Sequence, residues 1–312
     1  MKWLRKDVLA IEDMSVEEIR HILHTAKVMK EILMRPIKKL PTLKGKSVVN
    51  LFYEASTRTR TSFEMAGKVL GADTTSIAVA QSSVSKGESL FDTAKTIQAM
   101  RADLVIIRHP SSGSANFLAD ILQAGVINAG DGQHEHPTQA LLDVFTMQER
   151  LGELEGKKVV IVGDVLHSRV ARSNAWCLQK MGVDVTFVGP PTLVPIEMEG
   201  LGGVKLSHDL DGSLPGADIV MALRLQLERQ KSGLFPSLRE YSHLYGLTVD
   251  RLKKTGKQSI VLHPGPMNRG VEISDDVADG VDALIERQVT NGVAIRMALI
   301  YLLIGGSSNV VA

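Results

Sequence analysis

The sequence is poor in cysteine: Cys177 is the single one among 312 residues. One thiol excludes an internal disulfide framework and a cysteine-rich zinc module, and it fits a reducing, cytoplasmic compartment. Cys177 lies between Trp176 and Leu178 in a predicted helix, a setting that favours core packing over nucleophilic chemistry.

Charge of one sign is not in excess, because 36 lysines and arginines are balanced by 35 acidic residues to leave a net charge of +1. Binding to nucleic acid or a membrane surface usually needs a basic excess, so neither partner is expected. Long apolar runs are missing too. The most apolar stretch, Met297–Ile304, is far shorter than the about 20 residues of a spanning helix, and the charged N-terminus is unlike a signal peptide. We expect a soluble protein with a buried C-terminal helix.

Nucleotide-binding fingerprints are absent from the sequence. The P-loop pattern G-x-x-x-x-G-K-[ST] occurs nowhere, and Gly130-x-Gly132 is followed by a glutamate where a dinucleotide loop has its third glycine. The segment Val160–Arg169, a predicted strand, turn and helix start, lacks the G-x-G-x-x-G spacing as well. These absences disfavour a nicotinamide-dependent dehydrogenase.

Apolar strand-like runs alternate with helical segments along the chain. The predicted strands are Ser47–Phe52, Thr74–Val79, Leu104–Ile107, Val126–Asn128, Lys157–Val162, Asp184–Val188, Asp218–Leu223 and Ser259–Leu262. The predicted helices are Ser15–Arg35, one that starts near Thr59, Ser89–Met100, Ala115–Ala124, Pro137–Leu151, Arg169–Met181 and Gln288–Ile304. This alternation predicts an α/β fold with mostly parallel sheets flanked by helices, because parallel strands need crossover connections. The chain length predicts two domains, with a break near Leu151–Gly156.

The segment Phe52–Glu64 runs from a predicted strand end into a helix N-terminus, and it is crowded with hydroxyl groups and two arginines, Arg58 and Arg60. Helix N-terminal N–H groups attract an anion, and hydroxyl and guanidinium donors add directional hydrogen bonds. The pattern favours a phosphate site over the alternative, an ordinary N-cap with surface arginines.

The segment Gly130–Gln139 allows three interpretations. His134 and His136 could begin a metal site, but zinc needs three or four ligands and no partner motif has suitable spacing. A dinucleotide loop would lack its third glycine. The remaining hypothesis is a polar turn with Pro137 at the first helical position, presenting His136 and Gln139 to polarise a carbonyl and orient an amide group.

Further polar residues follow the other predicted strands. They are Arg108, Arg169, Arg224, Gln226 and the turn His263–Pro266. Two prolines around one glycine make a rigid turn that can offer carbonyl oxygens in fixed directions. Structural alternatives stay open, namely a surface arginine for Arg108 and a loop brace for the proline turn. Several cations without a carboxylate dyad or a nucleophilic cysteine fit the displacement of phosphate from an acyl-like centre by a second, anionic substrate.

Four segments in this order resemble the aspartate/ornithine carbamoyltransferase superfamily, and within it the catalytic chains that act on aspartate. They are Ser56–Arg60, Arg108–Pro110, His136–Gln139 and His263–Pro266, and the resemblance extends over the whole chain. It implies a carbamoyl-phosphate-binding domain over residues 1–150 and an aspartate-binding domain over 151–287. It also implies that residues 288–312 cross back to pack on the first domain.

The resemblance also assigns roles to single residues. The phosphate would be held by Ser56, Thr57, Arg58 and Thr59, and the carbamoyl oxygen would be polarised by Arg108, His136 and Thr59. The carbamoyl amine would be oriented by Gln139 and the backbone carbonyls of Gly265 and Pro266, and the aspartate carboxylates would be bound by Arg169, Arg224 and Gln226. Ser82 and Lys86 would enter the site from a neighbouring subunit of a homotrimer. Two positions depart from some relatives, which carry leucine at Gly265 and lysine at Ser85. Since the backbone binds at Gly265, we expect little loss there.

The implied reaction transfers the carbamoyl group of carbamoyl phosphate to the α-amine of L-aspartate, a step of pyrimidine biosynthesis, without a cofactor or metal. Regulatory chains or a dihydroorotase are partners that the resemblance leaves open. One alternative is a carbamoyltransferase for ornithine or another amino acid, but Ser232-Gly233 lacks the methionine of the ornithine loop and His263–Pro266 lacks its cysteine. The other alternative is an inactive carbamoyltransferase-like scaffold. The presence of every expected site residue argues against it.

Overall fold

The computed structural model of the chain describes residues 3–78, 88–226, 234 and 237–305. The chain divides into two compact units, Met1–Leu142 with Val289–Ala312, and Asp143–Gln288. The division falls inside one helix, Pro137–Leu151, rather than in the glycine-flanked link that follows it.

The first unit contains a four-stranded parallel sheet with helices between its strands. Its elements are α1 Val16–Leu33, β1 Ser47–Phe52, α2 Thr57–Leu70, β2 Asp73–Ala78, α3 Leu90–Ala99, β3 Leu104–His109, α4 Ser114–Ile121, β4 Gly125–Asp131 and the start of α5 Pro137–Leu151. The strand order is β2-β1-β3-β4. All seven residues of β4 are buried, as expected for a strand covered on both faces.

The second unit contains a five-stranded parallel sheet in the order β7-β6-β5-β8-β9. Its elements are the rest of α5, β5 Lys158–Val162, α6 Arg169–Lys180, β6 Asp184–Val188, a short 3-10 helix Ile196–Gly200, β7 Lys205–Ser207, α7 Leu210–Ser213, β8 Ile219–Ala222, α8 Leu238–Tyr245, α9 Val249–Lys253, β9 Ile260–Leu262 and α10 Asp275–Ala278. The last helix, α11 Ile285–Ile304, begins in this unit and continues in the first from Val289. The predicted fold class, two α/β domains with mostly parallel sheets, is confirmed.

Several elements differ from the sequence prediction in extent. Strand β3 continues to His109, so Arg108 lies inside the strand rather than after it. Helix α11 begins three residues before the predicted Gln288, and the sequence analysis did not predict β7 or the helices α7–α10. The last predicted residue of β2, Val79, lies outside the described residues.

The C-terminal helix α11 packs on the first unit, as predicted. Its residues Val293–Tyr301 are buried throughout, including Arg296, which is 4% exposed. The Arg296 guanidinium lies 5.1 Å from the ring centre of Phe63 on α2, and its Nη2 is 3.5 Å from Thr138 Oγ1 at the start of α5. In the described part of the chain, no helix is both long and apolar enough to cross a membrane.

Candidate active site

Arg108 is held where the carboxyl ends of three neighbouring strands meet. It pairs in register with Phe52 at the end of β1, and its carbonyl oxygen accepts the Tyr53 N–H at 2.8 Å. Its Nε donates to Glu54 Oε2 at 3.1 Å, and its Nη1 lies 3.5 Å from the Ala129 carbonyl on β4. The Arg108 side chain is 17% exposed, so it is anchored at the sheet edge and is not an ordinary surface arginine.

Helix α2 begins with an N-terminus that its own N-cap side chain leaves open. Ser56 occupies the N-cap in extended backbone and its hydroxyl makes no capping hydrogen bond, whereas the N-cap serines of α1, α3, α6 and α8 all do. The first turn holds no acidic residue, so the positive end of the helix dipole is not neutralised there. Such an N-terminus is a ready site for an anion.

The arginines of this segment differ in their contacts. Arg60 lies 3.9 Å from Glu64, an ion pair one helical turn on. Arg58 is exposed, and among the described residues it has no hydrogen-bond or ion-pair partner. Thr59 is 7% exposed and accepts a hydrogen bond from Ser62 Oγ at its carbonyl oxygen, at 2.9 Å. The combination supports the phosphate hypothesis more than that of a plain N-cap.

His136 and Gln139 lie at the start of α5, just beyond β4. They are 3% and 7% exposed. The His136 carbonyl accepts the Gln139 N–H at 2.9 Å and the Ala140 N–H at 3.4 Å, which fixes the first turn. Pro137 is the first helical residue, as the polar-turn hypothesis predicted. His136 and Gln139 follow β4, helix α2 follows β1, and Arg108 lies near the end of β3. The three strands are neighbours in the order β1-β3-β4.

The loop before His136 is braced by the buried carboxylate of Asp131. Asp131 accepts the Gly113 N–H at 2.7 Å and Asn128 Nδ2 at 2.8 Å, and it lies 3.1 Å from His134 Nδ1. Burial acts to raise the pKa of Asp131, but hydrogen bonds from His134, Asn128 and the Gly113 N–H outweigh it and lower that pKa. The same hydrogen bond with Asp131 raises the pKa of His134 against the effect of burial.

The metal hypothesis was built on His134 and His136, and the structure groups different residues. Possible ligand atoms of Glu12, His134 and Glu135 lie within 4.8 Å of one another. Glu135 already accepts the Ile11 N–H on both of its oxygens, at 3.0 and 2.9 Å, and the Glu12 N–H as well. A carboxylate committed to backbone N–H groups is a poor metal ligand, so the geometry gives this group a structural role.

In the second unit, Asp164 organises the residues that follow β5 and β8. These strands are neighbours in the sheet. Gly163, which follows β5, has a positive φ of +136°, and a Cβ added there would lie 2.9 Å from the carbonyl oxygen of Leu223, which follows β8. The buried Asp164 accepts His167 Nδ1 at 2.8 Å on one oxygen and the Gln226 N–H at 3.4 Å on the other. Gln226 is therefore held by a carboxylate that the sequence analysis did not single out.

Arg169 is the first residue of α6 and only 3% exposed. A cation at a helix N-terminus is unfavourable by itself, because the dipole places positive charge there, so this position suits a residue that meets an anion. Ser168 caps the helix by accepting the Ala171 N–H at 3.2 Å. Arg224 is partly exposed and follows β8.

The turn His263–Pro266 follows β9. Gly265 has a φ of +65°, a conformation that favours glycine, and the Gly265–Pro266 peptide is cis. The Gly265 N–H donates to His263 Nδ1 at 2.9 Å, and the His263 N–H donates to Gln288 Oε1 at 3.0 Å. Of the other predicted site residues, Ser82 and Lys86 lie outside the described residues, as do Ser85, Ser232 and Gly233.

Two family models match this chain, one in each half of the sequence. Residues 6–149 match the model described as "Aspartate/ornithine carbamoyltransferase, carbamoyl-P binding domain", and residues 155–303 match "Aspartate/ornithine carbamoyltransferase, Asp/Orn binding domain". The chain belongs to the aspartate/ornithine carbamoyltransferase family, which confirms the resemblance inferred from its motifs.

Two relatives of high sequence identity both carry the name of the aspartate enzyme. The chain is 66% identical to the aspartate carbamoyltransferase catalytic subunit of Desulfitobacterium hafniense, over 99% of this chain and 98% of that protein. It is 62% identical to the same subunit from Moorella thermoacetica, over 99% and 100% of the two chains.

Solved structures give the same architecture but do not separate the two branches of the family. The aspartate transcarbamoylase of Trypanosoma cruzi, in complex with carbamoyl phosphate and aspartate, matches with a TM-score of 0.87 and 30% identity over 97% of each chain. The ornithine carbamoyltransferase of Pyrococcus furiosus also matches with a TM-score of 0.87, at 29% identity over 99% of this chain and 100% of that one.

Proposed function

We propose that this chain transfers the carbamoyl group of carbamoyl phosphate to the α-amine of L-aspartate, giving N-carbamoyl-L-aspartate and phosphate in pyrimidine biosynthesis. The observation that carries the proposal is the open N-terminus of α2, with its exposed Arg58, beside the anchored Arg108. The relatives at 66% and 62% identity, which carry the name of the aspartate enzyme, support aspartate as the acceptor.

The first unit supplies the groups for the phosphate and the reacting carbonyl. Ser56, Thr57 and Arg58 bind the phosphate at the helix N-terminus, with Thr59 shared between phosphate and carbonyl. Arg108, His136 and Thr59 donate to the carbamoyl oxygen, whose negative charge grows when the amine attacks. Loss of one such donor typically costs about 3–4 kcal/mol of barrier.

The second unit supplies the groups for the acceptor. Arg169, Arg224 and Gln226 bind the two carboxylates of L-aspartate. The carbamoyl amine of the donor is oriented by Gln139 of the first unit and by the backbone carbonyls of Gly265 and Pro266 of the second. The hydrogen bond from the Gln226 N–H to Asp164 holds one of these groups before the substrate arrives. We assign carbamoyl phosphate to residues 1–150 and aspartate to residues 151–287, in line with the descriptions of the two family models.

The product of the reaction tests this proposal. The purified chain is incubated with carbamoyl phosphate and either L-aspartate or L-ornithine, and the ureido product and phosphate are measured. We expect equal amounts of N-carbamoyl-L-aspartate and phosphate, and no citrulline. Citrulline formation would move the chain to the ornithine branch, and no ureido product from either acceptor would support the inactive scaffold.

Assembly is the second part of the proposal: a cytoplasmic homotrimer in which Ser82 and Lys86 of one chain complete the site of the next. Head-to-tail contacts of this kind close naturally into a ring. Lys86→Ala and His136→Ala chains, each expected to be almost inactive, are exchanged into mixed trimers. An interface that joins the loop of a His136→Ala chain to the body of a Lys86→Ala chain has every native residue, so activity should return. Verified mixed trimers as inactive as their parents would show that Lys86 acts within its own chain.

A further inference from the structure

Two His-Pro turns of this chain use the same local hydrogen bond. At the end of β3, His109 Nδ1 accepts the Ser111 N–H at 3.0 Å, and beyond β9, His263 Nδ1 accepts the Gly265 N–H at 2.9 Å. The two histidines differ in burial, because His109 is partly exposed whereas His263 is 1% exposed. The buried His263 is in addition held by two buried side chains of its unit, Glu272 and Gln288.

The hydrogen bond defines the tautomer of the His263 ring. Because Nδ1 accepts an N–H, the ring is neutral and its proton is on Nε2. Nε2 lies 3.4 Å from Glu272 Oε1, and Glu272 is itself 1% exposed. Glu272 Oε1 accepts the Asn268 N–H at 2.5 Å, which holds the carboxylate in place. The carboxylate thus favours the tautomer that leaves Nδ1 available to Gly265.

The backbone of His263 is fixed by a second buried chain of hydrogen bonds. The His263 N–H donates to Gln288 Oε1 at 3.0 Å, while Gln288 Nε2 donates to Asp143 Oδ1 at 2.7 Å. The other Asp143 oxygen accepts Asn174 Nδ2 at 2.9 Å. Since a carboxylate only accepts, Asp143 determines which end of the Gln288 amide faces His263. The backbone that carries the imidazole is therefore held by buried side chains.

Gly265 is the residue that needs such a hold. Pro266 restricts ψ of Gly265, but a glycine adopts positive and negative φ about equally, so its own covalent structure does not select the observed φ of +65°. We infer that His263 is a positioning residue for the carbamoyl group: its neutral imidazole holds the Gly265 N–H and so directs the carbonyls of Gly265 and Pro266. This inference rests on the proposed function, which assigns those carbonyls to the carbamoyl amine.

The test compares two ligands that differ in the carbamoyl group. Carbamoyl phosphate and inorganic phosphate are titrated into wild type, His263→Phe and His263→Asn by calorimetry. In His263→Phe the dissociation constant for carbamoyl phosphate should rise about tenfold, the worth of one hydrogen bond, while that for phosphate stays unchanged. The asparagine oxygen lies close to the position of Nδ1, so His263→Asn should recover most of the loss.

A matched control comes from the same unit. His208, whose Nδ1 lies 2.9 Å from the Gly189 carbonyl, is also joined to backbone by its ring, so His208→Phe should leave the binding of both ligands unchanged. Equal weakening of both ligands in His263→Phe, or no weakening of either, would overturn the inference. Wild type that forms no ureido product would instead overturn the proposed function.

A measurement on wild type keeps the inference testable even if His263→Phe does not fold. In protein labelled with ¹⁵N-histidine, the His263 signals are identified by their loss in His263→Asn. The inference predicts an unprotonated Nδ1 and a protonated Nε2 at pH 7. A proton on Nδ1 at that pH would overturn it.

Discussion

Two regions that contain proposed site residues are prepared in opposite ways. The phosphate segment, Ser56–Arg60, offers an uncapped helix N-terminus and an exposed Arg58. The Asp164 cluster, formed by Asp164, His167 and Gln226, is instead held by hydrogen bonds within the protein. A phosphate brings enough charge to organise its own donors, whereas an uncharged backbone N–H or an amide must be placed beforehand. The difference therefore follows the groups that each region offers: a charged guanidinium in the phosphate segment, and an uncharged amide at Gln226.

The largest expected effect comes from removing the exposed cation of the phosphate segment. Arg58→Ala should lower turnover about a hundred- to a thousandfold, because the leaving phosphate loses its guanidinium partner, while the fold stays intact. Steady-state kinetics and thermal unfolding measure the two properties. Arg60→Ala is the matched control, since Arg60 already pairs with Glu64, and it should lose far less. Comparable activity in Arg58→Ala would remove the phosphate assignment.

Arg224 tests the acceptor side of the comparison. Arg224→Ala should raise the KM for aspartate about tenfold or more, the worth of a hydrogen bond to a charged group, with phosphate affinity nearly unchanged. The exposed Arg239 on α8 provides the control variant, Arg239→Ala. An unaltered aspartate saturation curve in Arg224→Ala would show that another residue binds the second substrate.

The sequence predicted residues proposed to contact substrate better than the buried groups that hold other residues in place. Arg58, Arg108 and His136 stand next to strand ends or helix starts, so local patterns revealed them. The sequence analysis did not single out Asp164 and Asp143, because the residues that they hold are remote in the chain. Gln226 is 62 residues from Asp164, and Gln288 is 145 residues from Asp143. Elements of three to five residues such as β7 and α9 were missed for a related reason, since they are too short to display a periodic pattern.

The smallest expected effect concerns the brace between Asp131 and His134. The folded-state pKa of Asp131 is lowered, so its stabilising contribution is present above the unfolded value of about 3.9 and is lost as pH falls further. The pKa of His134 is raised, so its contribution is present below about 6.5 and is lost as pH rises through the folded value. The ion pair therefore stabilises most near pH 5 to 6.

His134→Asn should lower the free energy of unfolding by at most about 1 kcal/mol near pH 5.5, because the 35% exposed side chain is screened by solvent. Urea unfolding at pH 5.5, 7 and 8.5 should show the difference from wild type shrinking as pH rises. His24→Asn, at an exposed position of α1, should show no such trend. A constant difference at all three values would rule out the charged pair.

The central claim of the proposed function is that Arg58 binds the phosphate of one substrate and Arg224 binds a carboxylate of the other. N-(phosphonacetyl)-L-aspartate, with which the Trypanosoma cruzi aspartate transcarbamoylase has been solved, joins an anionic phosphonate to an aspartate in one molecule. Its affinity is measured by calorimetry for wild type, Arg58→Ala and Arg224→Ala. We predict tight binding to wild type and a loss of about tenfold or more in each variant, from opposite ends of the compound. Unchanged affinity in either variant would contradict the claim.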